Sequence, residues 1–122
     1  MKRDMDLVRQ ILLKIEEHEH GRAPTELVIE GHTDEEVGYH VHLMGQAGLL
    51  KVADVTDMGS ASPEAIPIGM MWAGHDFLDA AREPSLWEKA KQKLGAGFAS
   101  VSFDVLKELL VALARGQLGL GA

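Results

Sequence analysis

Six histidines are the residues of this chain best suited to bind a metal ion, and their spacing decides whether they could. His18 and His20 are two residues apart, as are His40 and His42. Helical residues two apart project about 200° from each other, so neither pair forms a chelate on a helix. Zinc-binding helices place histidines four apart, as in H-E-x-x-H, and that spacing is absent from the sequence. The sequence therefore predicts no metal site, and nothing in it indicates a cofactor.

Catalytic groups are equally hard to assemble from the sequence. Asp34, Glu35 and Glu36 are consecutive at a predicted helix start, where acids stabilise the positive end of the helix dipole. Ser60 and Ser62 lie in a turn segment with no base at a recognisable spacing. The chain has no Cys, no GxxxxGK[ST] loop and no GxGxxG loop. We therefore expect no enzyme activity and infer no small-molecule substrate.

The acids at 34–36 belong to the best-defined predicted helix, residues 34–47. Thr33 and Glu36 have the spacing of a capping box, and Gly48 can adopt the left-handed conformation that closes a helix. Four apolar residues recur at helical spacing: Val37, Val41, Met44 and Ala47. A strand, 49–55, follows directly. This order is typical of the third helix of a winged helix-turn-helix domain passing into its wing.

The wing itself is predicted as a hairpin. Residues 57–63 have turn composition, and the apolar run 66–72 forms the second strand, which Pro67 indicates is an edge strand. A short β-branched run at 27–29 is expected to form a brief strand. It could pair with the wing and replace part of the second helix.

Apolar periodicity and capping signals predict four further helices: 4–18, 74–82, 86–94 and 103–115. Ser85 and Glu88 have capping-box spacing, and Ser102 is expected to cap the last helix. Trp72 and Trp87 are expected to pack the C-terminal helices onto the winged core. The LGLGA end is expected to be disordered.

The predicted fold class is α+β, a winged helix-turn-helix core with a C-terminal helical extension. Residues 1–94 would form the winged-helix domain with short appended helices. Residues 95–122 would supply the C-terminal helix and a flexible tail, packed on the same domain or on a dimer partner.

Three segments of the chain resemble a known family: MKRDMDLVR, YHVHLMGQAGLL and WAGHDFLDAAR, which begin at Met1, Tyr39 and Trp72. It is an uncharacterised bacterial domain of unknown function, found as small winged-helix proteins of phages and prophages. The resemblance covers residues 1–94 and extends to the last helix. It implies the winged-helix fold and a mobile-element context, and it supplies no functional residues.

The charge distribution argues against the usual role of such a fold. The net charge is −7, and residues 23–48 contain five acids and no Lys or Arg. A DNA-binding face needs Lys and Arg to displace counterions from the phosphates. DNA is therefore a partner that the charge disfavours.

Two surfaces are candidates for contacts with a partner. The first consists of Tyr39, His40, His42, Gln46 and Lys51, although we prefer to interpret His40 as a partly buried residue bonded to a backbone carbonyl. The second is the wide apolar arc of the last helix, formed by Leu106, Leu109, Leu110 and Leu113. A second protomer is the simplest cover for that arc, and completion of the protein's own core is an equal alternative.

The sequence thus favours a non-enzymatic binding module that acts through protein–protein contacts, as an accessory or regulatory protein of phage or prophage origin. The alternative is a DNA-binding transcriptional regulator that uses the helix 34–47 and the wing. Without a signal-peptide pattern or a membrane-length apolar run, we expect a cytoplasmic protein with no membrane partner.

Overall fold

The computed structural model describes residues 1–118 of the chain. Its secondary-structure elements, in chain order, are α1 Met5–Glu16, α2 Asp34–Gln46, β1 Leu50–Asp54, β2 Ala65–Met70, α3 Trp72–Ala81, α4 Pro84–Leu94, a 3-10 helix Gly95–Ser100, and α5 Phe103–Leu118. This content confirms the α+β class. The LGLGA end, expected to be disordered, lies outside the described residues except for Leu118, where α5 ends.

The chain divides into two compact units, and the boundary falls inside α3, between Asp76 and Phe77. The first unit contains α1, α2 and the hairpin of β1 and β2. The second contains α4, the 3-10 helix and α5. The expected boundary between residues 94 and 95 therefore differs from the observed one, because α4 packs against both the 3-10 helix and α5.

In the first unit, α1 packs against α2 and β2. Asp4 caps α1, since its side chain accepts a hydrogen bond from the Leu7 N–H at 3.2 Å. The apolar positions of α1 recur at helical spacing and are buried: Met5, Leu7, Val8, Ile11, Leu12 and Ile15. The apolar periodicity that predicts this helix is confirmed, and the helix ends at Glu16 rather than at residue 18.

Two glycines let α2 approach the hairpin closely. Gly38 and Gly45 are seven residues apart, so they share one face of the helix. A Cβ at Gly45 would lie 2.5 Å from Val52 Cγ2 on β1, and one at Gly38 would lie 3.1 Å from the Cβ of Glu64. Gly48 then adopts φ +77°, the left-handed conformation expected after α2, and leads into the strand.

The predicted strand at 27–29 is wrong. In the described part of the chain the sheet has two strands, β1 and β2, which pair antiparallel. The preceding loop bonds to the hairpin through the Ala23 N–H, which donates to the Ile68 carbonyl at 2.8 Å. Ile29 instead turns inward and is buried, and its carbonyl accepts a bond from the His32 N–H. One hydrogen bond does not make this loop a third strand of the sheet. Strand β2 therefore pairs with a strand, β1, on one side only.

Aromatic contacts organise the second unit. The Phe77 ring lies 4.7 Å from that of Phe103 and meets Trp87 edge-on at 6.4 Å. Trp87 also meets Phe98 edge-on at 5.6 Å and is buried, while its expected packing onto the winged core stays a prediction. The matching expectation for Trp72 is wrong, because 83% of this residue is exposed where α3 begins.

At the helix starts of the second unit, one predicted cap is confirmed and another is wrong. Ser102 caps α5, since its hydroxyl accepts a bond from the Val105 N–H at 3.2 Å. The capping box predicted for Ser85 and Glu88 is wrong, because α4 begins earlier, with Pro84 in its first turn. Proline is favoured there because the first N–H groups of a helix have no partner within the helix. No helix among residues 1–118 has both the length and the apolar character needed to cross a membrane.

Candidate interaction surface

The start of α2 is held by a complete capping box. The Glu36 N–H donates to the Thr33 hydroxyl at 3.1 Å, and the Thr33 N–H donates to the Glu36 carboxylate at 3.2 Å. His32 contacts the other carboxylate oxygen at 3.1 Å. The bond with His32, followed by the bonds with Thr33, lowers the pKa of Glu36 below its ordinary value. These contacts fix the orientation of the helix that carries the candidate surface.

His40 lies inside the first unit, with 2% of its surface exposed. Its Nδ1 lies 2.8 Å from the carbonyl oxygen of Glu36, and its Nε2 accepts a bond from the Asp4 N–H at 2.9 Å. These partners require a neutral ring with its proton on Nδ1. The preferred interpretation of His40 is confirmed, and its place in the candidate contact surface is wrong. It joins the start of α1 to the first turns of α2.

Three of the remaining candidates form a stripe on α2. Tyr39, His42 and Gln46 follow one another at spacings of three and four, so they lie on the same side of the helix. The rings of Tyr39 and His42 are stacked, with centroids 6.4 Å apart and planes inclined by 19°. Gln46 is exposed, and the two rings are half-buried. We call these three residues the α2 stripe.

Strand β1 ends at an acid, Asp54. Asp54 accepts a bond from the Thr56 N–H at 2.8 Å. Hydrogen bonding by the Thr56 side chain and backbone, with a smaller Coulombic contribution from His42, lowers the pKa of Asp54 below its ordinary value.

Lys51 does not join the α2 stripe. It lies on strand β1, where it is exposed. A register irregularity of the hairpin falls between Lys51 and Val52, the residue that a Cβ at Gly45 of α2 would meet. Lys51 is the one base among the five candidate contact residues.

The first unit as a whole is strongly acidic. It contains six Lys and Arg side chains against fourteen Asp and Glu, which leaves −8 of formal charge. The second unit holds six bases and five acids. On α2 all three charged residues of the first turn are acids, and the last turn has no base. The candidate surface on α2 thus lies in a negative field.

The apolar arc of α5 is smaller than the sequence suggests. Leu106 and Leu110 are fully buried, so their assignment to an oligomer surface is wrong. Leu109 and Leu113 are half-buried, and Val105, which the sequence analysis does not single out, is half exposed. These last three are spaced by four residues and share one face. Whether they contact a second copy stays a prediction.

The first unit also has a groove that no sequence motif predicts. Val28, Val55 and Ile66 line it and are 59%, 42% and 52% exposed. They come from the loop before α2, the end of β1 and strand β2. Alternate exposure along a strand is ordinary for a sheet covered on one side, but the sequence gives no signal that these three residues meet.

The histidines considered for metal binding do not gather around a common point. In the described residues, no three His, Cys, Asp or Glu side chains are arranged to hold a metal ion. His20 contacts the Glu19 carboxylate at 3.1 Å, and its ring meets that of His18 edge-on. Both lie at the surface after α1, where the tight turn brings them together.

Comparison with known proteins places the chain in a family. Residues 2–100 match the family model described as "Hypothetical protein (DUF2513)", so the chain belongs to that family. The chain is also similar to an "Uncharacterized protein" of Haemophilus influenzae, with 33% identity over 112 residues, which covers 89% of this chain and 92% of the relative. No solved structure matches the chain. The match spans both compact units.

Proposed function

We propose that this protein is a non-enzymatic binding module that acts through protein–protein contacts. The observation that carries the proposal is the charge of the first unit, where eight more acids than bases surround α2 and the hairpin. Such a field repels phosphate and attracts basic protein surfaces. The exposed apolar residues of the same unit supply the contact area that a protein partner needs.

The arrangement we propose for the first unit is a reduced winged helix. The order of α2, Gly48 and the β1–β2 hairpin, with α1 packed behind α2, supports this interpretation. A helix-turn-helix has a further helix before its reading helix, and here the loop of residues 17–33 occupies that part of the chain. An accessory or regulatory role on a phage or prophage is part of the proposal and rests on the family resemblance.

The alternative function is a DNA-binding transcriptional regulator. Its support is the α2 stripe, because the side chains of Tyr39, His42 and Gln46 can bond to base edges. Phosphate contacts normally fix a reading helix in the groove, and α2 itself carries no Lys or Arg. DNA binding would therefore depend on Lys and Arg side chains that lie outside α2.

Fluorescence anisotropy of mixed-sequence duplex DNA decides between these functions. We expect no binding at low salt, where electrostatic attraction is least screened. Micromolar or tighter binding that weakens steeply as salt rises would contradict the proposal and favour the DNA-binding alternative.

A further inference from the structure

We propose that the groove of the first unit binds an extended peptide segment of another protein, with an apolar anchor side chain and Lys or Arg on either side of it. The inference deepens the proposed function, on which it rests, by assigning the contact to one place and one chemistry. The groove has a volume of about 240 Å³ and lies between the loop of residues 25–28, α2 and strand β2.

The apolar lining of the groove is contiguous and partly exposed. Its walls include Val28, Val55 and Ile66, which are about half exposed, and its floor includes Val37 and Val41, which are buried. Scattered exposed apolar residues are normal on a protein surface, but a contiguous patch marks an interaction site. Burial of the three wall residues would remove apolar surface that the first unit leaves in water.

The groove is held open by the loop beside it. The Ala23 N–H bonds to the Ile68 carbonyl, and Ala23 and Ile29 are both buried, so the loop is anchored before and after residues 25–28. The segment between these anchors forms one wall. Because the wall is fixed at both ends, a partner meets a preformed site and does not have to order it.

The size of the groove and the chemistry of its edge select the kind of occupant. Its volume is below that of typical small-molecule pockets, at about 300–1,000 Å³, but suits one or two apolar side chains. Pro67 lines the groove and has no N–H, so it cannot support a continuous added strand along β2. Side-chain anchoring therefore has to supply most of the binding.

The rim of the groove selects the charge of the occupant. Glu26, Asp34 and Glu64 line it, and the lining residues that the structure describes include no Lys or Arg. Glu64 is oriented by a bond from the Ser60 hydroxyl at 2.9 Å. Carboxylates on the rim of an apolar groove attract and align a segment with basic flanks. The first unit's excess of acids extends this attraction beyond the rim.

The test is anisotropy of a labelled peptide, Lys-Lys-Leu-Val-Leu-Lys-Lys, titrated with the intact chain. We expect saturable micromolar binding that weakens with salt. Two matched peptides separate the contributions of charge and of apolar side chains to the binding. One has Glu for every Lys, and the other has Ser for the three apolar residues. Each should bind at least tenfold more weakly. Equal binding of the Ser peptide would reduce the site to non-specific charge attraction and overturn the proposal.

Variants of the protein locate the peptide. Ile66→Lys and Val28→Lys each place a charge in the groove and should weaken binding at least tenfold. Val28→Lys lies in a loop, so it tests the site even if the strand variant misfolds. Val105→Lys is the matched control, since Val105 is similarly exposed but belongs to the second unit. Unchanged binding by both groove variants, or no binding by the native chain, would overturn the proposal.

Two further results would also overturn the groove proposal, and they separate it from the proposed function. If Ile66→Lys converts a dimer into a monomer, the occupant is a second copy of the chain. If the intact chain co-sediments with phospholipid vesicles and Ile66→Lys abolishes this co-sedimentation, the surface binds lipid. Failure of the peptide with no binding of DNA leaves the protein-binding function standing, whereas salt-sensitive DNA binding removes that function itself.

Discussion

The backbone N–H of Asp4 donates a hydrogen bond to Nε2 of His40, 2.9 Å away and 36 residues later in the chain. The other ring nitrogen of His40 bonds the Glu36 carbonyl, so the imidazole ties the N-cap of α1 to the first turns of α2. A buried polar side chain with both ring nitrogens bonded specifies how two helices meet. His40 is therefore a structural residue, although its neighbours Tyr39 and His42 lie at the surface.

Replacing His40 by alanine should destabilise the protein by about 2–4 kcal/mol, because it leaves a cavity and removes the partner of a part-buried N–H. Urea denaturation followed by circular dichroism measures the effect. His42→Ala is the control and should cost less than about 1 kcal/mol, since His42 is half-buried. Equal losses for the two variants would show that the Asp4–His40 bond does not contribute.

A methyl group added to α2 at Gly45 should destabilise the first unit by about 1–3 kcal/mol, because it would overlap Val52. Valine has little rotamer freedom to move aside. The double variant Gly45→Ala with Val52→Ala should therefore lose less than the sum of the single variants. Gly116→Ala on α5 is the control; nothing lies within 4 Å of its added Cβ, so it should be neutral or stabilising. Strict additivity of the first pair would contradict the predicted overlap.

The pKa of Glu36 predicts a dependence of stability on pH. Its folded pKa lies below its ordinary value of 4.5, chiefly because of the bond with His32. The stabilisation is therefore fully present above pH 4.5 and is lost as pH falls through the lowered folded value. Glu36→Gln lacks this ionisation, so its midpoint of thermal unfolding should fall less than that of the native chain on acidification. Parallel curves for the two proteins would remove Glu36 as the cause.

The exposed face of α5 predicts a change of oligomeric state. Leu109→Glu places a charge beside Val105 and Leu113, and we expect it to reduce the mass in solution if two copies meet there. Light scattering after size-exclusion chromatography measures that mass. Arg115→Gln changes the net charge equally on a different side of the helix and is the control. A folded Leu109→Glu variant with the native mass would exclude this face as the interface.

The agreement between sequence and structure is best where local rules act alone. The capping box at Thr33, the left-handed Gly48, the apolar stripe of α1 and the hairpin strands all follow from the residues themselves. The predicted strand at 27–29 fails because β-branched residues fit a strand only if a neighbour offers a ladder. Here the loop is anchored at Ala23 and Ile29, and that anchoring depends on distant parts of the chain.

The candidate surfaces could be predicted only in part. Apolar spacing identifies α5 as amphipathic, but it cannot say that Leu106 and Leu110 are buried while Val105 is exposed. Likewise, residue type does not separate Tyr39, His40 and His42, because all three have polar aromatic side chains. The 3.6-residue repeat of the helix directs His40 inward and the other two outward.

The sequence by itself determined the class of fold, the starts and ends of most helices, and the acidity of the first unit, because these depend on composition and on contacts between residues a few positions apart. Only the tertiary structure decided that His40 bonds Asp4 and that Val28, Val55 and Ile66 line one groove. The physical reason is that these relationships join segments far apart in the chain, and their geometry is set by how the helices and the hairpin pack.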